Sequence, residues 1–271
     1  MAITLESLRR VRATNPPRLL FYGPAGVGKT TLAQEFPDPI FLQTEDGTPG
    51  DVELNTFGLL KSYGEVMEAI GVIYDQNLPF KTVVLDSMTE MQRLIFAETC
   101  ARGDEKGNQK QNIEDFGYGK GYVYAQRVTQ ELVEALNLLR RDRNMAIILI
   151  CHSTVERFDD PESVSYDRYD LDLHNKIKGM IERDMDGIFL LKHKVSIEKE
   201  EQGFNKERAL AKGGSQVWLH ANPKPAFVAK NRYGIKAAIY TRGKGFEMLA
   251  PSFPKFGDEP AADDGQQADA A

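Results

Sequence analysis

Cysteine is scarce in this chain, with only Cys100 and Cys151 among 271 residues, both in apolar stretches and neither at metal-ligand spacing. That argues against a disulfide scaffold and a thiolate zinc centre, and both read as reduced core residues. Long hydrophobic runs are also missing: nothing approaches the ~18 apolar residues of a membrane span. The opening Met1-Ala-Ile-Thr-Leu-Glu-Ser-Leu-Arg9 lacks the basic-then-apolar layout of a secretory signal. The expectation is a cytoplasmic protein with no membrane partner. Excess positive charge is absent too, the net charge being −6. The segment from Gly257 onward holds five of the 40 acids and no Lys or Arg, which leaves 35 acids against 34 basic residues before it. Any nucleic-acid surface must therefore be a local patch. The division expected is a domain over 1–256 and a disordered acidic tail over 257–271. The tail serves solubility, or competes with nucleic acid for a basic groove, or recruits a partner such as a replication or single-strand-binding protein.

What is present is an α/β pattern. With 41% hydrophobic and 27% charged residues the chain can bury one full core. Apolar runs at Arg18 to Tyr22, Pro39 to Gln43, Thr82 to Leu85, Met145 to Cys151 and Gly187 to His193 read as strands. Between them Tyr63 to Tyr74, Met88 to Ala101 and Tyr122 to Arg141 carry apolar residues at helical spacing. Such alternation predicts a mostly parallel sheet with helices on both faces. From Val195 the pattern becomes hairpin-like, with Gly213-Gly214 and Asn222-Pro223 as turns before strands at Pro225 to Lys230 and Ala237 to Tyr240. A short helix, Leu5 to Val11, is expected to pack on the core.

Gly23-Pro24-Ala25-Gly26-Val27-Gly28-Lys29-Thr30, followed by Thr31, matches the phosphate-loop pattern G-x-x-x-x-G-K-[ST] directly after a strand. Its glycines let consecutive backbone N–H groups point at phosphates, and the helix that starts near Lys29 adds its positive end. The pattern predicts a nucleoside triphosphate, with Lys29 on the β and γ phosphates and the Thr30 hydroxyl on Mg²⁺. Thr82-Val-Val-Leu-Asp86 delivers a second acid at a strand end, and Asp86 is expected to hold Mg²⁺ through a bound water. Pro39 to Gln43 leads to Glu45 and Asp46, at the strand end that lines the ligand crevice of an open α/β sheet. Glu45 is the first choice as base for the attacking water, and Asp46 the second.

These residues resemble those of the RecA-type recombinase and motor ATPases. AAA+ ATPases generally place the catalytic Glu directly after the strand-end Asp, where this chain has Ser87. RecA-like proteins instead end that strand in Asp-Ser, as Val83-Val-Leu-Asp86-Ser87 does, and carry the Glu after the preceding strand, as at Glu45. The resemblance implies a RecA-like sheet with a C-terminal β-hairpin region. It also implies a γ-phosphate sensor at His152, after Ala146 to Cys151; RecA has Gln there, and a purely structural histidine is the other reading. Phe227-Val-Ala-Lys230-Asn-Arg232 is similar to the RecA segment whose two cations reach the neighbouring subunit's nucleotide, which implies a homo-oligomeric ring or filament; a solvated strand end is the alternative. Lacking the separate N- and C-terminal domains of bacterial RecA, the chain looks more like the core-only RecA-like ATPases of bacteriophages, some of them single-strand-annealing recombination proteins, which implies work in the cytoplasm of an infected or lysogenic host.

That resemblance puts single-stranded DNA against two segments. One, Ala101 to Gln126, includes Lys106, Lys110, Phe116, Tyr118, Lys120, Tyr122 and Tyr124, lysines for phosphate and aromatics for bases, unless the aromatics are the buried start of a helix. The other, Ser153 to Lys178, has Arg157, Arg168, Lys176 and Lys178 among many acids. A DNA-dependent recombination ATPase and a partner-dependent replication accessory ATPase, such as a helicase loader or motor, both fit.

Overall fold

The computed structural model describes residues 14–48, 50–76, 78–162, 164–201, 207–254 and 256. The helix expected over Leu5 to Val11 and the acidic tail from Gly257 lie outside them. The chain runs through β1 (Arg18–Gly23), α1 (Lys29–Gln34), β2 (Pro39–Gln43), β3 (Asn55–Leu59), α2 (Tyr63–Asp75), β4 (Thr82–Asp86) and α3 (Met88–Arg102). It continues with α4 (Lys120–Asp142), β5 (Ala146–Phe158), β6 (Tyr166–Leu171), α5 (Asn175–Asp184), β7 (Gly187–Glu201), β8 (Glu207–His220), β9 (Lys230–Asn231), β10 (Ala238–Tyr240) and α6 (Gly245–Leu249).

One sheet unites these strands in the order β10-β8-β7-β1-β5-β4-β2-β3. The six strands from β7 to β3 pair in parallel, while β8 and β10 add antiparallel. Central strands covered on both faces need apolar residues at every position, which is why β1 and β4 are continuous hydrophobic runs. Their alternate side chains feed two cores. Leu20, Tyr22, Val83, Leu85, Ile147 and Leu149 pack with α2 to α5, whereas Leu19, Phe21, Val84, Ile148 and Ile150 pack with α1 and α6. Fully burying one such Leu or Ile side chain contributes about 1.5–3 kcal/mol, so the sheet is a rigid platform for whatever projects from its strand ends.

The register sets those ends in a row. Gly23 pairs with His152, Asp86 with Ile150 and Gln43 with Asp86. The start of α3 is fixed locally as well, by the Ser87 hydroxyl accepting the Glu90 N–H at 3.3 Å.

Several expectations need correction. Gly213-Gly214 is not a turn; it lies within β8, where β7 and β8 shift register between His193 and Val195 and Gly213 pairs with Val195. Glycine inside a strand often marks such a bulge. Pro225 to Lys230 is not a strand: Pro225 has no N–H to donate, Phe227 makes only isolated bridges, and pairing is confined to Lys230–Asn231. The fifth strand does not stop at Cys151 but runs to Phe158, where it forms a hairpin with β6.

Candidate active site

The phosphate loop is shaped by two glycines. A Cβ on Gly23 would lie 2.1 Å from the Leu191 carbonyl oxygen, so no larger residue lets β1 lie this close to β7. Gly28 turns the chain into α1 at φ 98°, a left-handed backbone that side chains disfavour. Lys29 follows, only 6% exposed, and its Nζ donates to the carbonyls of Gly23 and Pro24, each at 2.9 Å. Burial pulls its ammonium below the usual lysine range, against the attraction of Asp86.

A cleft of about 680 Å³ opens over this loop, within the size range of ligand sites. Ala25 to Thr31, Glu45, Asp86 and His152 line it. Thr30 donates its hydroxyl to Asp86 Oδ2 at 2.7 Å, so the two oxygens expected at the cation are already adjacent. Burial raises the Asp86 carboxyl, the Thr30 bond opposes that rise, and the charge of Glu45 adds to it. A divalent cation held by Thr30 and Asp86 would offset this charge. An all-oxygen pair of one hydroxyl and one carboxylate fits Mg²⁺, which takes few protein ligands and completes its shell with phosphate and water.

Glu45 is held from two sides. Ser87 Oγ donates to Oε2 at 2.8 Å, and His152 Nε2 stands 3.1 Å from Oε1. The His152 bond holds this carboxyl below the ordinary glutamate range; burial opposes it and Ser87 assists. Asp46 is exposed and does not line the cleft. His152 is thus beside Glu45 and next to β1, and its backbone N–H donates to Thr89 Oγ1 at 3.1 Å.

Lys230 and Arg232 are not brought to this cleft. They lie at the start of β7, the end of the sheet opposite the phosphate loop. Lys230 Nζ donates to the last carbonyls of α5, Glu182 at 2.6 Å and Arg183 at 3.0 Å. Arg232 pairs with Asp186 at 2.9 Å and keeps 54% of its side chain exposed.

In the first proposed DNA segment Tyr122 stacks on His174 with centroids 3.9 Å apart, Phe116 meets Tyr124 edge-on at 5.3 Å, and Tyr118 is fully exposed. In the second, Lys178 is paired with Glu156 and Asp170, and Arg168 with Asp170.

Sequence reasoning missed the other wall of the cleft, formed by His193, Ser215, Val217, Tyr240 and Arg242. Glu35, just after α1, anchors it by accepting from Tyr240 Oη at 2.6 Å and from the Gly243 N–H at 2.7 Å. Arg242 then reaches Asp51, on the loop between β2 and β3, at 2.6 Å. Glu35 and Tyr240 are 205 residues apart, and no local pattern announces their contact. Thr44 was missed as well; it bonds the Ser87 backbone from the residue before Glu45.

No curated protein matches the chain. A family model described as an AAA domain matches residues 15–233, which takes in the phosphate loop, Glu45, Asp86 and β5 with His152. A P-loop sheet with these residues gathered at its strand ends is the ATPase-type architecture of that model, and the chain belongs to the AAA domain family.

Proposed function

We propose that this protein hydrolyses ATP and that its turnover responds to single-stranded DNA. The observation that carries hydrolysis is the meeting of Lys29, Thr30, Asp86 and Glu45 in one cleft, with Glu45 held by two donors. Gly26, Gly28 and Lys29 would bind the phosphates, and Thr30 and, through a bound water, Asp86 would hold Mg²⁺. When bound, the cation neutralises charge on the phosphate oxygens. Glu45 orients the attacking water and takes its proton, which its ionised state permits. Tyr240 and Val217 offer an apolar surface for the adenine ring of ATP.

The DNA reading rests on narrower support. β5 carries His152 beside Glu45 and continues into the β5–β6 hairpin, so one strand links the cleft to that hairpin. Exposed Tyr118, with Lys106 and Lys120 nearby in sequence, suits base stacking and phosphate contact. The RecA-like resemblance then suggests assembly of several copies on the strand, in phage recombination by annealing or strand pairing. A second reading draws on the hairpin itself. Lys178 and Arg168 are already paired with Glu156 and Asp170, which favours a protein partner there, as in a replication accessory ATPase.

Steady-state ATP hydrolysis with and without single-stranded DNA, at low and moderate salt, tests the proposal. A salt-sensitive stimulation is expected. Basal turnover that DNA leaves unchanged would overturn the DNA reading and favour the partner-dependent one, and no turnover at all would overturn hydrolysis.

A further inference from the structure

We propose that Thr44 is a positioning residue for hydrolysis, gripping the backbone of Ser87 so that the Ser87 hydroxyl holds Glu45. The inference rests on Glu45 being the base. Thr44 is 6% exposed and Ser87 fully buried. The Thr44 hydroxyl makes two bonds to one residue, donating to the Ser87 carbonyl at 2.9 Å and accepting the Ser87 N–H at 3.0 Å. The Thr44 N–H donates to the Asp86 carbonyl at 2.8 Å, closing the last pair of β2 and β4, Gln43 with Asp86. Ser87 Oγ then returns to Glu45 at 2.8 Å while also capping α3.

The contacts form a closed ring, because Glu45 follows Thr44 in the chain. Backbone bonds fix Ser87 relative to Thr44, the Ser87 side chain fixes the carboxylate, and the peptide between Thr44 and Glu45 completes the circuit. A general base must be held within a few tenths of an ångström of its working position, and a displacement near 1 Å can cost about a hundredfold in rate. Threonine supplies what this needs, a hydroxyl that donates and accepts at once on a stiff β-branched side chain.

Thr44→Val keeps the shape and removes the hydroxyl; Thr44→Ser keeps the hydroxyl and removes a methyl. The test is kcat, KM and the dissociation constant of a fluorescent ATP analogue for both variants, and for Thr44→Val combined with Glu45→Gln. Thr44→Val should lower kcat about tenfold or more with nucleotide affinity held within about twofold, and Thr44→Ser should keep kcat within about twofold. In the Glu45→Gln background Thr44→Val should cost less than about twofold, since its route to the reaction is already cut. Normal kcat in Thr44→Val, equal losses in Thr44→Ser, or an undiminished loss in the double variant would each overturn the proposal. Should Thr44→Val not fold, Ser87→Ala carries the same test from the other end of the ring, and normal kcat there is equally fatal. Normal turnover in Glu45→Gln alone would instead remove the base assignment, a failure visible separately from that of Thr44.

Discussion

His152 Nε2 lies 3.1 Å from Oε1 and 3.3 Å from Oε2 of Glu45, so a single imidazole spans both oxygens of the carboxylate. This bond is the main reason the Glu45 carboxyl ionises below its ordinary range. A base whose pKa is lowered stays deprotonated to a lower pH, and activity that depends on it is lost only as pH falls through that lowered value. Removing the imidazole returns the carboxyl toward the usual glutamate pKa. His152→Ala should therefore move the acid limb of the kcat profile to higher pH, and Glu45→Gln should abolish that limb and reduce kcat at least about a hundredfold. An unmoved acid limb in His152→Ala would assign the limb to another group.

Lys29 is nearly buried, and its ammonium is satisfied by the loop carbonyls of Gly23 and Pro24. Burial weakens the charge it can hold, so the cation is poised for an anion that restores the balance. Lys29→Ala should raise the ATP dissociation constant about ten- to a hundredfold, as expected on losing hydrogen bonds to a charged group. Equilibrium binding of a fluorescent ATP analogue measures this directly. Unchanged affinity would take Lys29 out of the phosphate site.

Gly23 is constrained by packing as well as by the motif. Its Cβ position falls 2.1 Å from a carbonyl oxygen of β7, a backbone atom that cannot swing aside like a flexible side chain. Gly23→Ala must part β1 from β7 at the centre of the sheet. A loss of about 3 kcal/mol is expected, and with it a lowering of the thermal midpoint by roughly 6–12 °C. Thermal unfolding followed by circular dichroism decides it, and a midpoint within a degree of wild type would show that the strands yield.

The parts of the site legible in the sequence are those written in local order. The phosphate loop is contiguous, and Asp86 and Glu45 each end an apolar run, so strand reading placed them at the crevice where the structure has them. The hydrogen bonds that tune them were not legible. Ser87 to Glu45 and His152 to Glu45 connect strands through a sheet order, β1-β5-β4-β2, that no run of residues encodes. The far wall failed for the same reason, since Tyr240 and Arg242 reach the cleft only because Glu35 anchors their loop. Gly213-Gly214 misled because two adjacent glycines serve a turn and a strand bulge equally well. β3 was overlooked because its five residues are all exposed and only Phe57 and Leu59 among them are apolar and large, too short a signal to set it apart from a loop.

Lys230 and Arg232 separate on physical grounds. Lys230 caps the carbonyl end of α5, where a cation is favourable, and Lys230→Ala should cost about 1 kcal/mol of stability with little change in turnover per folded molecule. Arg232 binds Asp186, but Arg18 and Arg140 also reach that carboxylate, at 3.0 Å and 3.4 Å. Departure of Arg232 therefore leaves Asp186 paired, and its half-exposed guanidinium is available to a neighbouring protomer. Arg232→Ala should keep a near-normal thermal midpoint and lose turnover in assemblies. Mixed with Lys29→Ala it should regain part of that turnover, because in the proposed assembly an intact Arg232 on one subunit would meet an intact phosphate loop on the next. A mixture no more active than its separate components would assign Arg232 to the Asp186 cluster alone.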